Sequence, residues 1–429
     1  MRLGGRLAGA IEVLADIEAR RRPVADALKD WGLAHRFAGS GDRAAIGNIV
    51  YDALRMKLSH AWLMDDDSAG ALGWAVLLRQ WGFSAEALAT EFDGDSFAPK
   101  PLTAEQLAAF STRRIEDAPL HVQGDIPDWV QTSFETAFGE DWLDEAKALA
   151  DRPTLDLRVN TLKANRDKVL KALDRANAKA ARIARFGMRI PAGEGASRLP
   201  NVTAELSFQK GWFEVQDEGS QIVSDLVDAK EGDQVLDFCA GGGGKTLALA
   251  AVMHNKGQVH AYDTDRKRLA PIFERLKRAG TRNVQVHDSP RGLEGLKGHV
   301  DRVLVDAPCT GTGTWRRRPD TKWRLTVRNL QERVAQQQEA LTEASSFVRP
   351  GGELLYVTCS ILPEENDAQA TAFCAANPEF QIAPALDTWD RLFGKDAPRP
   401  RSQNGLTLTL SPASTDTDGF FFCRMRRQG

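Results

Sequence analysis

The chain has 429 residues, 42% of them hydrophobic and 27% charged, with a net charge of −3. That is long enough for two or three domains with sizeable cores, and it excludes both a disordered polyelectrolyte and a small disulfide-stapled scaffold. Five scattered cysteines, an odd number, point to a reducing compartment. No run approaches the roughly 18 uninterrupted apolar residues of a membrane span and no signal-type apolar region opens the chain, so a cytoplasmic protein without a membrane partner is expected.

Residues 1 to about 115 predict an all-α domain. Leu7, Ile11, Leu14 and Ala15 recur at helical spacing, as do Ile46, Ile49, Val50, Ala53 and Leu54. Trp31, Trp62, Trp74 and Trp81 are expected as core anchors rather than base-stacking platforms. Glu91 to Leu102, with Gly94, Pro99 and Pro101, reads as a loop.

From about 120 to 210 a small α+β module is expected. Leu155 to Val159 alternates as a strand does, and Lys168 to Arg182 reads as a helix with a basic surface. Between Arg158 and Arg189 ten Lys or Arg face only Asp167 and Asp174, a local excess of +8 in an otherwise acidic chain. A solvated face and a phosphate-facing surface both accommodate such a run.

From about 211 to 429 strands and helices alternate: Gln234 to Cys239, Thr246 to Met253, Gln258 to Tyr262, Asp265 to Ala279, Val284 to Val286, Arg302 to Val305, Gln331 to Val348 and Glu353 to Val357. This rhythm predicts a doubly wound α/β sheet. Gly280 suits a helix C-cap, and Pro350-Gly351-Gly352 suits the turn into the next strand. No coiled-coil heptads mark an oligomeric state.

The first of these strands runs into Ala240-Gly241-Gly242-Gly243-Gly244-Lys245-Thr246. A Walker A loop needs glycine at position 239, which is a cysteine, and a dinucleotide fingerprint needs glycine where Thr246 stands. What remains is a loop that lets a ligand approach the backbone beside a helix N-terminus. Asp263 ends the second strand, where a carboxylate can accept ribose hydroxyls, and Asp288 ends the third, within reach of an adenine amino group. Each alone also reads as a cap or a surface residue. Together they suit a nucleoside bound without phosphates, S-adenosylmethionine rather than NAD or ATP.

Two further strand ends carry thiols, Cys309 in Asp306-Ala307-Pro308-Cys309 and Cys359 in Val357-Thr358-Cys359-Ser360. Ligands of open parallel sheets bind outside the carboxyl ends of the strands. Two thiols and an aspartate there suit attack on an unreactive ring carbon. Residue chemistry leaves open which cysteine attacks. Cys374 and Cys423 read as small buried hydrophobes, and Cys239 as packing under the glycine loop.

These residues resemble the Sun/RsmB-type RNA (cytosine-5) methyltransferases. Asp237-Phe238-Cys239-Ala240-Gly241-Gly242-Gly243-Gly244-Lys245-Thr246 is similar to the family's D-x-C-A-A-P-G-G-K-T. Asp306 to Gly313 matches D-A-P-C-S-G-T-G with Thr310 for serine, Thr358-Cys359-Ser360-Ile361 matches T-C-S-[IVL], and Pro363-Glu364-Glu365-Asn366 follows as P-E-E-N. Leu157 to Thr161, Val215 to Ser220 and Arg317 to Trp323 also fit. The likeness covers about 150 to 429, and residues 1 to about 115 resemble, more weakly, a NusB-like RNA-binding domain.

The resemblance implies a Rossmann-like S-adenosylmethionine methyltransferase sheet preceded by a small RNA-binding α+β module and an all-α domain. The cofactor would lie against Cys239, Ala240, Gly241, Gly242, Gly243, Gly244, Lys245, Asp263, Asp288 and Asp306. Cys359 would be the nucleophile and Cys309 would assist breakdown of the adduct. Asp306 would contact cytosine N3 and N4, for which it needs a raised pKa, and Lys245 would hold the base or cofactor and favour the thiolate. The implied partner is RNA, 16S rRNA ahead of tRNA, with no metal. Besides the basic module at 158 to 189, Arg316, Arg317, Arg318, Lys322 and Arg324 with Trp315 and Trp323 are expected to grip it. A catalytically silent RNA-binding or ribosome-assembly factor is the alternative on this scaffold, and a DNA methyltransferase is disfavoured by Thr358-Cys359. One departure stands out: Gly241-Gly242 replaces the family's Ala-Pro, which leaves the loop less preorganised by up to about 1 kcal/mol per site.

Overall fold

One face of the helix Leu3–Arg20 repeats Leu7, Ala10, Val13, Leu14 and Ile17, and it buries them against Ile46, Ile49, Val50 and Ala53 of the helix Ser40–Arg55. A computed structural model describes residues 1–429, which divide into two units. The first unit comprises Met1–Pro153, Ala192–Leu199 and Trp315–Leu325. Trp74 is buried in its core, and Trp31 and Trp81 pack against it. Trp62 lies under the Arg113 guanidinium, 5.1 Å from the ring centroid. Helices do not stop near 115: they continue to Ala148, because Phe134, Phe138 and Trp142 supply a further buried apolar face.

The second unit comprises Thr154–Pro191, Pro200–Thr314 and Thr326–Gly429. It holds two sheets. The smaller one is antiparallel, in the order β2-β3-β1-β4, from β1 (Leu155–Val159), β2 (Lys179–Ala180), β3 (Gly187–Ile190) and β4 (Phe213–Val215). The basic helix is shorter than the sequence suggested and spans Arg166–Ala172. The Asn165 side chain caps it by accepting the Lys168 N–H at 2.9 Å. Asn177, in the left-handed region at φ 53, then turns the chain so that Lys179–Ala180 can pair with β3.

The larger sheet contains β5 (Gln234–Asp237), β6 (Gln258–Tyr262), β7 (Val284–His287), β8 (Val300–Asp306), β9 (Val348–Thr358), β10 (Phe380–Ala383), β11 (Thr407–Leu410) and β12 (Phe420–Arg427). Its order is β10-β12-β9-β8-β5-β6-β7, with β11 paired to β12. Strands β5 to β9 pair in parallel and β12 runs antiparallel to β9. Val303 to Val305 and Leu354 to Val357 are wholly buried, as strands covered on both faces must be. The order reverses between β5 and β8, which opens a crevice at their carboxyl ends. The helix expected over 265–279 is broken into Arg266–Leu269 and Ile272–Ala279 at Pro271, which has no N–H to give. No helix is long and apolar enough to cross a membrane.

Candidate active site

Asp306 is the last residue of β8, and Cys359 follows the last residue of the neighbouring β9. The register aligns Asp306 with Val357, and the Ala307 N–H donates to the Val357 carbonyl at 2.9 Å. The loops after both strands therefore leave the sheet side by side, and a second bond, Gly313 N–H to the Cys359 carbonyl at 3.0 Å, holds them together. The two thiols meet with Cys309 Sγ 3.3 Å from Cys359 Sγ. The hydrogen bond with Cys359 and burial push the Cys309 thiol well above its ordinary pKa, so Cys309 keeps its proton.

β5 lies on the other side of β8 and delivers the glycine loop and the helix Gly244–Val252. From the first turn of that helix, Lys245 Nζ donates to Asp306 Oδ2 at 2.6 Å. Burial works against the Lys245 charge, but Asp306, with a smaller contribution from Cys359, more than offsets it and raises the lysine pKa. The four predicted catalytic residues are thus gathered at three adjacent strand ends. Behind them Asp237 accepts a hydrogen bond from Thr246 Oγ1 at 2.7 Å, and burial pushes its carboxyl up to about 7.

The predicted cofactor residues line the carboxyl ends of β5, β6 and β7 and, with Asp306, of β8. Gly241 and Gly243 take positive φ, 50 and 79, and a Cβ at Gly243 would meet Ile272 Cγ1 at 2.4 Å. Glycine is required at that position. Asp263 is buried and aimed at this loop, accepting the Gly241 N–H at 2.9 Å and the Asp265 N–H at 2.8 Å. A carboxylate has about four acceptor sites, so capacity for ribose hydroxyls remains. Asp288 follows β7 and is exposed, with Arg266 Nε donating to its carbonyl at 3.0 Å. Cys239 is partly buried against the core beneath the loop, and burial raises its pKa well above the ordinary thiol value. A nearly side-chain-free backbone beside a buried strand-end carboxylate fits an adenosine-bearing ligand with no phosphate.

Sequence reasoning quoted Glu365 within a motif but gave it no task, and it missed Gln337. Glu365 accepts the Thr310 N–H at 2.8 Å and Gln337 Nε2 at 3.0 Å, while Gln337 Nε2 also reaches the Pro308 carbonyl at 3.0 Å. Asn366 accepts from Thr358 Oγ1 at 2.6 Å and donates to the Ser360 carbonyl at 3.0 Å. Glu365 and Asn366 thereby brace the two thiol loops from behind. The acidic-amide tetrapeptide just after the second cysteine was the available signal. Nothing in the helix Val327–Ser345 marked Gln337.

The expected grip at 315–324 is overturned. Within the first unit Trp315 is buried and stacks on Phe134 at 5.9 Å between centroids. Lys322 is buried, its Nζ donating to the carbonyls of Asp125 at 2.6 Å and Arg55 at 3.0 Å. Trp323 Nε1 donates to the Leu54 carbonyl at 2.7 Å, and Arg55 Nε to the Arg316 carbonyl at 2.7 Å. Leu54 and Arg55 close the helix Ser40–Arg55, whose last carbonyls have no partner within the helix. The segment is a cap for that helix end, and of its five cations only Arg318 is exposed. Two of the cations in the 158–189 run also turn inward. Arg189 pairs with Asp156, Glu218 and Asp416, and Arg158 donates to the Gly244 carbonyl at 2.8 Å. Lys168, Lys171, Arg175, Lys179 and Arg182 remain exposed.

The sequence model described as 16S rRNA methyltransferase RsmB/F matches residues 225–426, and that of the RsmF/B-like ferredoxin-like domain matches residues 126–190. Ribosomal RNA small subunit methyltransferase B of Yersinia pseudotuberculosis is 33% identical over 351 residues, 79% of this chain and 77% of that protein. The protein of the same name from Cronobacter sakazakii is 34% identical over 304 residues, 70% of this chain, and the match spans 66% of its length. Among solved structures, a methyltransferase homolog protein from Pyrococcus horikoshii superposes with a TM-score of 0.58 at 26% identity, covering 72% of this chain and 97% of its own.

Proposed function

The chain belongs to the RsmB/F family of 16S rRNA methyltransferases, and from that premise we propose that it forms 5-methylcytidine in 16S rRNA through a transient bond between Cys359 and C6 of the target cytosine. The observation that carries this reading is the 3.3 Å approach of the two thiols beside the Lys245–Asp306 pair. S-adenosylmethionine, the family's cofactor, supplies an electrophilic methyl group when bound against the glycine loop, Asp263 and Asp288.

Cys359 attacks as the thiolate. The Lys245 ammonium and the hydrogen bond from the Cys309 thiol both favour that form. Addition at C6 makes C5 nucleophilic toward the methyl group. Asp306 has one oxygen on Lys245, and its other oxygen takes the cytosine N4 amino group. Once the Cys359 sulfur is bonded to carbon its charge is gone, and with it the main influence that holds the Cys309 proton. Cys309 then gives its proton to solvent more readily and, as the thiolate, accepts the C5 proton, while Cys359 departs as a thiolate. The target base must leave its stack to reach these sulfurs, and the exposed cations from Lys168 to Arg182 hold the flanking phosphates.

Incubation with 16S rRNA carrying 5-tritiated cytidine and S-adenosylmethionine tests the assignment. Tritium should appear in water in step with methyl incorporation, and bisulfite sequencing should mark a single protected cytidine. Methyl transfer without tritium release would move the reaction off C5.

A further inference from the structure

Four consecutive glycines, Gly241 to Gly244, form the cofactor loop of this chain, two of them where the family carries Ala-Pro. Such a segment has the most backbone freedom to lose on ordering. Yet every residue in it is tied. Gly241 N–H donates to Asp263 Oδ2 at 2.9 Å, and Gly243 N–H to the Ala240 carbonyl at 2.9 Å. The carbonyls of Gly242 and Gly244 accept from guanidinium groups outside the loop, Arg275 Nη1 at 2.6 Å and Arg158 Nη1 at 2.8 Å. Arg275 is itself anchored: its Nε and Nη2 lie 3.2 and 3.0 Å from Glu214 Oε2, on a carboxylate of β4 that also takes Arg278 at 2.6 Å. None of the chemistry assigned to the crevice uses Arg275.

We propose that Arg275 is a positioning residue for the cofactor: its guanidinium tethers the Gly242 carbonyl and supplies the stiffness that proline gives this loop elsewhere in the family. Glu214 fixes the direction of the tether, and the Arg158 bond fixes the next carbonyl along. This rests on reading the loop as the S-adenosylmethionine site.

The test is calorimetric titration of the full chain with S-adenosylhomocysteine, run beside RNA binding and thermal melting. Arg275→Met should weaken the dissociation constant about tenfold or more, the loss expected for one hydrogen bond from a charged donor, while RNA affinity stays within twofold. Arg275→Lys should fall between. Gly242 lies outside the left-handed region, and a Cβ there would meet Arg275 Nη1 at 3.3 Å, so Gly242→Pro is placed on Arg275→Met, where the crowding guanidinium is gone, and should recover most of the loss. Arg278→Met breaks the same Glu214 cluster without touching the loop, and it should leave cofactor affinity unchanged. The proposal is overturned if Arg275→Met binds like wild type, or if Arg278→Met weakens binding as much. It also falls if the lysine variant is as weak as the methionine one and proline recovers nothing. A wild-type chain that binds no S-adenosylhomocysteine sinks the cofactor reading itself, a separate and recognisable outcome.

Discussion

Residues 306–314 and 315–325 are consecutive in sequence, both rich in chemistry-bearing side chains, and they belong to different units. The first segment leaves β8 at the carboxyl edge of a parallel sheet and keeps Asp306 and Cys309 only partly buried there. The second turns two tryptophans and a lysine onto the last carbonyls of a helix and into an apolar core. Composition offered the second as an RNA grip. Topology decided otherwise, because a strand end leaves side chains little choice of direction, whereas a loop sends cations wherever unpaired carbonyls await.

The sharpest way to break that contrast is to remove the thiols one at a time. Cys359→Ala should lower methylation by about a thousandfold or more, as loss of a covalent nucleophile does, and should leave no protein–RNA adduct. Cys309→Ala should also stop turnover, but with a covalent adduct accumulating as a shifted band on a denaturing gel. Identical behaviour of the two variants would abolish the division of labour drawn from the Cys309 proton.

Much of this crevice was legible beforehand. Asp306, Cys309, Cys359 and Lys245 each sit at the end of a continuous apolar run, or one residue beyond a glycine turn, and such positions are fixed by the sheet. Glu365 and Gln337 were not legible, because bracing a loop from behind depends on two helices and a strand packing together. The shortened basic helix and the break at Pro271 were missed for a local reason, a run of helix-forming residues outweighing a single Asn or Pro in a periodicity count. The inward course of Arg158 and Arg189 depended on partners, Glu218 and Asp416 among them, far away in sequence.

A smaller effect distinguishes the buried segment. Lys322→Met strands the carbonyls of Arg55 and Asp125 and should destabilise the chain by about 2 kcal/mol at pH 7. Its RNA affinity, measured on folded protein, should not change. Burial lowers the Lys322 pKa to about 8, against an ordinary value of 10.5. Between those two values the unfolded chain binds the extra proton, so raising the pH through this window favours the folded state. Chemical denaturation of wild type and Lys322→Met at pH 7 and pH 10 should therefore show the wild-type advantage growing by about 1–3 kcal/mol. A constant difference would mean that the ammonium is solvated, and the segment would again be available for RNA.

The smallest effect belongs to the exposed half of the basic run, and there the same comparison can be made within one charge cluster. Lys171 and Arg175 are exposed, so replacing both by Ala removes charge without removing packing. Stability should move by less than about 0.5 kcal/mol. Each phosphate contact adds about 0.7 on a single strand and about 0.9 on a duplex to the slope of log affinity against log salt, so the double variant should bind RNA several-fold more weakly at low salt with a slope shallower by about 1.5. Arg189→Ala takes one cation from the same +8 stretch. It leaves Asp156 and Glu218 buried without their guanidinium, which should cost about 3 kcal/mol in stability, and it should leave the salt slope where it was. If Arg189→Ala flattened the slope and Lys171→Ala with Arg175→Ala did not, the phosphate track would have to run along the inner face of the small sheet, and the exposed helix would be only a solvated surface.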